Sequence, residues 1–219
     1  MKQFNSDTFV CFIDIAGFKV ALAENINLAG RMLDVFYSAG FNVLKESKSL
    51  NGIFISDCGI IYSTKGNINE RLENVLLAIK QINKIMLTEN YLTTTSIAYG
   101  FMEYRKKFVF SRMTKNAIVG SGYLNAFQDN EDKINKLNPG EVRITKKIIN
   151  PNPLKDTFKK INFKNGELNY LIAKDTHYYY NWNCENKNEI NNTVVIYENY
   201  LKDQTTSKHE RLKSALRNL

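Results

Sequence analysis

Asp14 and Asp57 are the residues of this chain whose type and setting could do chemistry. Asp14 lies in FIDIAGF (Phe12–Phe18), a carboxylate inside an otherwise apolar run that is followed at once by a small-residue turn. Asp57 lies in FISDCGIIYS (Phe54–Ser63), at the turn of an expected hairpin. A single aspartate at a strand end can be no more than a turn residue. Two on neighbouring strands are another matter, because buried like charges are costly unless something cationic sits between them. A divalent cation supplies that charge, and hard carboxylate oxygens suit Mg²⁺ or Mn²⁺. Two such ions about 4 Å apart can activate an attacking oxygen and stabilise a leaving phosphate.

The flanking elements must bring the two carboxylates together. TFVCFIDI (Thr8–Ile15) is apolar, aromatic and β-branched, and predicts a buried central strand. Leu28, Met32, Leu33, Phe36, Tyr37, Phe41 and Leu44 recur at helical spacing, predicting a helix from about Asn27 to Ser47. Asn51-Gly52 signals a turn, and Ile53–Ser63 reads as two strand arms hinged at Ser56-Asp57. Asn67–Met86 carries one apolar stripe of a second helix, read as core packing.

TTTSIAYGF (Thr93–Phe101) predicts a further strand, and FVF (Phe108–Phe110) another. A helix is expected from Ser121 to Leu137, then a strand at EVRIT, a hairpin about Asn165-Gly166, and a basic helix over about Asn192–Asn218. The order predicts an α+β sandwich, one mostly antiparallel sheet with helices on a face. Residues 1–150 are expected to form the main domain, with 151–219 a hairpin-and-helix extension packed on it. Tyr178-Tyr179-Tyr180 and Trp182 could stack on bases, but their setting favours packing.

Composition bounds the function more loosely. Of 219 residues, 43% are hydrophobic and 24% charged, ordinary values for a globular chain. A net charge of +8 favours polyanionic ligands without choosing among them, and a solvated basic surface is the simpler reading. A nucleic-acid role would rest on that charge alone and is not expected. Three cysteines (Cys11, Cys58, Cys184) lack metal-ligand spacing, and Cys11 and Cys58 read as core thiols. With only His177 and His209, neither a zinc site nor a histidine-based triad is expected. No apolar run is long enough for a membrane span, and MKQFNSD is no signal peptide, so a cytoplasmic location is expected.

FIDIAGF resembles the F-x-D-I-x-G-F signature that opens the catalytic domain of class III nucleotidyl cyclases. FISDCGIIYS resembles the hairpin carrying the family's second metal-binding aspartate. SIAYGF (Ser96–Phe101) is similar to a later strand, and GSGYLNAFQDNE (Gly120–Glu131) to the start of the next helix. The resemblance covers about Thr8 to Ile149 and implies a ferredoxin-like βαββαβ core. It also implies a homodimer with active sites in the interface, each combining metal aspartates of one subunit with base-recognition and transition-state groups of the other. Two Mg²⁺ or Mn²⁺ ions would be held by Asp14, Asp57 and the backbone carbonyl of Ile15. The ribose 3′-oxygen would attack the α-phosphate, with pyrophosphate leaving. Backbone N–H groups of Ala16, Gly17 and Phe18 would cradle the phosphates.

The chain departs from adenylate and guanylate cyclases at two places. Leu124 and Gln128 stand where the helix motif G-x-x-V-N-x-A-A-R has its Asn and Arg, and Asn125 is one position off. Ile53, with Phe54 beside it, occupies a position that usually reads a purine. Arg105, Lys106, Lys107, Arg112 and Lys115 lie between the SIAYGF strand and the next helix; Arg112 and Lys115 are the preferred substitutes for the missing charge. Phe54 could wall a base or serve the core. The motif combination looks like the pyrimidine cyclases of bacterial anti-phage (Pycsar) systems, which make cyclic UMP or cyclic CMP. This implies UTP or CTP as substrate and a downstream cyclic-nucleotide-binding effector. A catalytically degenerate cyclase-like module and an adenylate cyclase using ATP remain the alternatives.

Overall fold

The structure, a computed structural model, describes residues 3–110, 113–146 and 171–183, with backbone alone for 106–110, 113–116, 172 and 173. Strand β1 (Phe4–Ile15) leads through the short helix α1 (Phe18–Glu24) into α2 (Ile26–Glu46). The hairpin β2 (Leu50–Ile55) and β3 (Cys58–Ser63) follows, then α3 (Ile68–Thr88). Next come β4 (Thr93–Phe110), β5 (Met113–Val119) and α4 (Ser121–Asn130). Strands β6 (Val142–Thr145), β7 (Leu171–Ala173) and β8 (His177–Tyr180) complete the described chain. All eight strands form one sheet in the order β2-β3-β1-β4-β6-β8-β7, with β5 paired to β4 outside that path. Pairing is antiparallel except between β4 and β6. The α+β class and the mostly antiparallel sheet are as expected.

Alternation along β1 divides the interior in two. Phe9, Cys11, Ile13 and Ile15 face a large core shared with Phe36 of α2 and Leu72, Val75, Leu76 and Ile79 of α3. Val10 and Phe12 face a smaller core with Ile53, Ile60, Tyr62, Met102 and Ala126 of α4. Helices therefore lie on both faces, not on one as expected: α2 and α3 on one, α4 on the other. The apolar stripes alone could not reveal this, since a stripe says that a helix is covered but not by which face of the sheet.

Local chemistry sets the element ends. Asn25 breaks the helical run after α1, and its side chain accepts from the Leu28 amide at 3.1 Å to start α2. The Asn67 side chain accepts from the Glu70 amide at 3.1 Å, while Glu70 reaches back to the Asn67 amide at 2.7 Å, a capping box for α3. Helix α4 stops at Asn130, well short of the expected Leu137. There the Asp132 carboxylate captures the amides of Ile134 (2.8 Å) and Asn135 (3.3 Å), offering the backbone a turn in place of another helical bond.

FVF, expected to be a separate strand, is instead the end of β4, which forms with β5 a hairpin bulged between Lys107 and Val109. Arg105 is exposed on β4 and pairs with Glu103 on its own strand. Tyr180 and Trp182 are buried in the large core, and the indole N–H donates to the Gly140 carbonyl at 2.7 Å, in accord with packing. The expected hairpin at Asn165-Gly166, the C-terminal helix and Cys184 lie outside the described residues. Among the described residues no helix is long and apolar enough to cross a membrane.

Candidate metal centre

The register of β1 on β3 sets Asp14 opposite Cys58, the first residue after the hairpin turn. That turn has two residues, Ser56 and Asp57, between the paired Ile55 and Cys58. Ser56 is held at φ 53°, a left-handed conformation unusual for a residue with a side chain. The Ile15 amide donates to the Asp57 carbonyl at 3.0 Å, locking the end of β1 to the turn. Oxygens of Asp14 and Asp57 and the sulfur of Cys58 thus lie within 4.8 Å of one another. Three donors on that scale fit around one divalent ion, and the paired carboxylates are suited to a hard cation. Asp14 and Asp57 converge as their positions in the sequence suggest. Cys58, read from sequence as a core thiol, packs half-buried against the smaller core and also joins this cluster, while Cys11 is fully buried in the large core.

Burial, and then the neighbouring Asp57 charge, push the Asp14 carboxyl up to about 6, with Glu131 adding to the effect and a hydrogen bond from Cys58 and the charge of Lys19 opposing it. Burial and the Asp14 charge push the Cys58 thiol up as well, and it donates to Asp14 Oδ1 at 3.3 Å.

Gly17 follows as the cap of α1 at φ 80°, a left-handed conformation that glycine adopts without strain. A Cβ there would meet no atom within 4 Å, so the space beside the turn is open. Of the three amides expected to hold phosphate, that of Ala16 is already spent on the Leu92 carbonyl at 2.9 Å. Those of Gly17 and Phe18 at the helix start remain for the role.

The residues expected to meet a base are placed differently. Phe54 faces away from Asp14, half-buried against the large core and packed edge-on against Phe36 with ring centroids 5.0 Å apart. Ile53 shares the face of Asp14 but is buried beside Phe12 and Ile60. Its neighbour two along, Ile55, is 65% exposed on that face. On α4, Leu124 and Gln128 lie on the exposed side and Asn125 faces inward. Arg112 lies outside the described residues, and Lys115 lies in β5 opposite Lys107.

One buried polar cluster was not legible in the sequence. Asp129 at the end of α4 accepts from Arg143 Nε (2.8 Å), bonds His177 Nε2 (2.7 Å) and accepts from the Ser96 hydroxyl. Arg143 also donates to the Asn135 carbonyl at 2.7 Å. Burial works against the Asp129 charge, but the bonds from His177, Arg143 and Ser96 outweigh it and hold the carboxyl below its ordinary value. The cluster fastens the C-terminal end of α4 to β4, β6 and β8, and so fixes where α4 meets the face that carries Asp14.

No family model and no curated protein matches the chain. Solved structures do match. The adenylyl cyclase CyaB of P. aeruginosa is 13% identical, with TM-score 0.55 over 82% of this chain and 95% of that one. The guanylate cyclase domain of RhGC from Catenaria anguillulae, in complex with GTP, is 11% identical, with TM-score 0.55 over 82% and 97%. A class III adenylyl cyclase-like ATP-binding protein from Pseudomonas aeruginosa is 11% identical, with TM-score 0.53 over 66% of this chain and 34% of that chain. The chain has the fold of class III cyclase domains.

Proposed function

We propose that the chain is a metal-dependent nucleotidyl cyclase that converts a nucleoside triphosphate to a 3′,5′-cyclic nucleotide and pyrophosphate. The observation that carries this reading is the convergence of Asp14 and Asp57 at one end of a cyclase-type sheet, with a raised Asp14 that a cation would relieve. Two Mg²⁺ or Mn²⁺ ions bound there would neutralise phosphate charge and polarise the ribose 3′-hydroxyl. Asp14, Asp57 and the Ile15 carbonyl hold the cations, the amides of Gly17 and Phe18 receive phosphate, and Arg112 and Lys115 supply the charge that Gln128 does not. Such a reaction needs positioning and charge neutralisation more than a strong base, so no catalytic histidine is required.

A homodimer completes the site. Exposed apolar side chains accompany Asp14 on its side of the sheet, Ile55 on β2 and Leu124 and Phe127 on α4, and suit a second copy of the chain. The substrate is a pyrimidine triphosphate, UTP before CTP, and the product is a second messenger in anti-phage signalling read by a cyclic-nucleotide-binding effector. Support for this finer reading comes from the sequence motifs alone. The ATP-binding relative of cyclase fold favours a second reading, a module that binds nucleotide without turnover.

The deciding experiment incubates the full chain with each of the four ribonucleoside triphosphates and Mn²⁺ or Mg²⁺, and follows pyrophosphate and cyclic nucleotide. Turnover of UTP or CTP in preference to ATP or GTP, lost in Asp14→Ala and in Asp57→Ala with the fold retained, is the expected result. Binding without pyrophosphate release favours the second reading, and preferential use of ATP removes the pyrimidine assignment.

A further inference from the structure

We propose that Cys58 is a third donor of the cation site, which lets Asp14 and Asp57 capture a thiophilic divalent ion of the Zn²⁺ or Co²⁺ type in competition with a hard one. The inference rests on the reading of this cluster as a cation site but not on turnover. Its geometric basis is the register that sets Cys58 directly across from Asp14. Sγ lies 3.3 Å from Asp14 Oδ1 and 3.9 Å from Asp57 Oδ1, so the sulfur is within reach of both carboxylates. All three donor atoms fall within 4.8 Å of one another, and all three side chains are half-buried, open enough for an ion to enter. Cys11 provides the contrast: three residues before Asp14 on the same strand, it faces the other core and is closed off.

Ligand softness decides what the sulfur does. Mg²⁺ gains little from sulfur, so with a hard ion the thiol keeps its proton and goes on donating to Asp14, orienting that carboxylate. A Zn²⁺ or Co²⁺ ion binds thiolate strongly. The S–H bond then breaks, its electron pair stays on sulfur and forms the S–metal bond, and the proton leaves to buffer. Nothing is oxidised or reduced. Such a thiophilic ion would be held by the same carboxylates that would otherwise hold Mg²⁺, and so would compete with it.

Metal-stripped full chain is titrated with Co²⁺, and binding is followed by calorimetry and by near-ultraviolet absorption. The expected result is a sulfur-to-cobalt charge-transfer band that saturates with binding, is absent in Cys58→Ser and Cys58→Ala, and is also lost in Asp14→Asn. Zn²⁺ affinity should fall by roughly tenfold or more in the Cys58 variants, the scale on which single groups around a metal act. Mg²⁺ affinity should change much less in Cys58→Ser. The Cys58 variants' circular dichroism separates loss of a ligand from loss of fold. No Co²⁺ binding, Co²⁺ binding without the band, or a band that survives in folded Cys58→Ser overturns the proposal. A band in a protein that turns over no triphosphate would uphold it while removing the cyclase reading; turnover without a band would do the reverse.

Discussion

The amide of Ile15 donates to the carbonyl of Asp57 at 3.0 Å, joining the end of one strand to the turn of a hairpin more than forty residues later. This backbone bond, with Asp14 in register opposite Cys58, sets the spacing of the two candidate ligands before either side chain chooses a rotamer. The site is therefore preorganised, and it carries a built-in repulsion that an ordinary turn would have no reason to keep.

That repulsion has a pH signature. Without metal, the folded protein holds the Asp14 proton up to about pH 6, chiefly through burial and then through Asp57. The unfolded chain releases it near the ordinary value of about 4. Between those values the folded state binds more protons, so stability falls as pH rises through the window and levels off above it. The loss is on the order of 1–3 kcal/mol, the lower part of the range reflecting solvent screening. Urea unfolding of chelated protein should show this fall between about pH 4 and 6. Asp14→Asn should flatten it and be the more stable protein at neutral pH. Mg²⁺ or Mn²⁺ should offset it in the native chain alone. An unchanged pH slope in Asp14→Asn would refute this account of the site.

Phe54 is expected to matter for stability and not for base choice. A Cβ placed on Gly40 of α2 would lie 2.3 Å from the Phe54 ring, so helix and sheet meet there only because residue 40 has no side chain. Gly40→Ala should destabilise by about 1–3 kcal/mol, the usual cost of overpacking a core. Adding Phe54→Leu should recover part of that loss, since the smaller side chain frees the space. Phe54→Leu alone should leave the ranking of the four triphosphates unchanged. A change in substrate preference without a change in melting temperature would return Phe54 to a base-reading role.

The Asp129–Arg143–His177 cluster should behave as a structural clamp. Arg143 is only 2% exposed, and Asp129→Ala would leave its guanidinium buried without a carboxylate. Breaking such a pair costs about 3–5 kcal/mol, and replacing both partners costs less. Calorimetry should show a melting temperature lowered by on the order of 10 °C in Asp129→Ala. Asp129→Leu combined with Arg143→Met should lose less. Because the Asp129 carboxyl is held below its ordinary value, its contribution is present at neutral pH and fades as pH falls below that value, in a more acidic window than the Asp14 effect. Equal losses in the single and double variants would show that the pair is not coupled.

Much of this was legible in the sequence, and the exceptions have physical causes. Strands β1, β2 and β3 and helices α2 and α3 announce themselves because each buries one face, and burial imprints a period. Asp14 and Asp57 stand out as charges that interrupt such patterns. Helix α1 leaves no such imprint: Phe18 and Ala21 are buried while Val20 and Leu22 are exposed. The faces of Phe54 and of α4 depend on packing between elements distant in sequence. Cys58 was hidden for a different reason. Asp57 is its neighbour in the chain, but Asp14 is brought opposite it by strand register, so cysteine spacing along the chain carries no trace of the cluster.

The exposed side of α4 is where the missing charge can be tested. Leu124 and Gln128 stand one turn apart on that side, while Asn125 is turned inward, so nothing on the helix itself delivers a cation to phosphate. If Arg112 supplies that charge, Arg112→Ala should lower kcat by about 10²–10³ with little change in KM, because the interaction belongs to the transition state. Lys115→Ala should chiefly raise KM for the triphosphate, as expected for a group that binds phosphate in ground and transition states alike. Gln128→Arg should restore part of the activity lost in Arg112→Ala by returning a guanidinium to the helix. Steady-state kinetics on the three single variants and the Arg112→Ala/Gln128→Arg double variant decide the matter. Native kcat in Arg112→Ala would remove that residue from the reaction, and rescue confined to the double variant would place the Arg112 and Gln128 positions around the same phosphate.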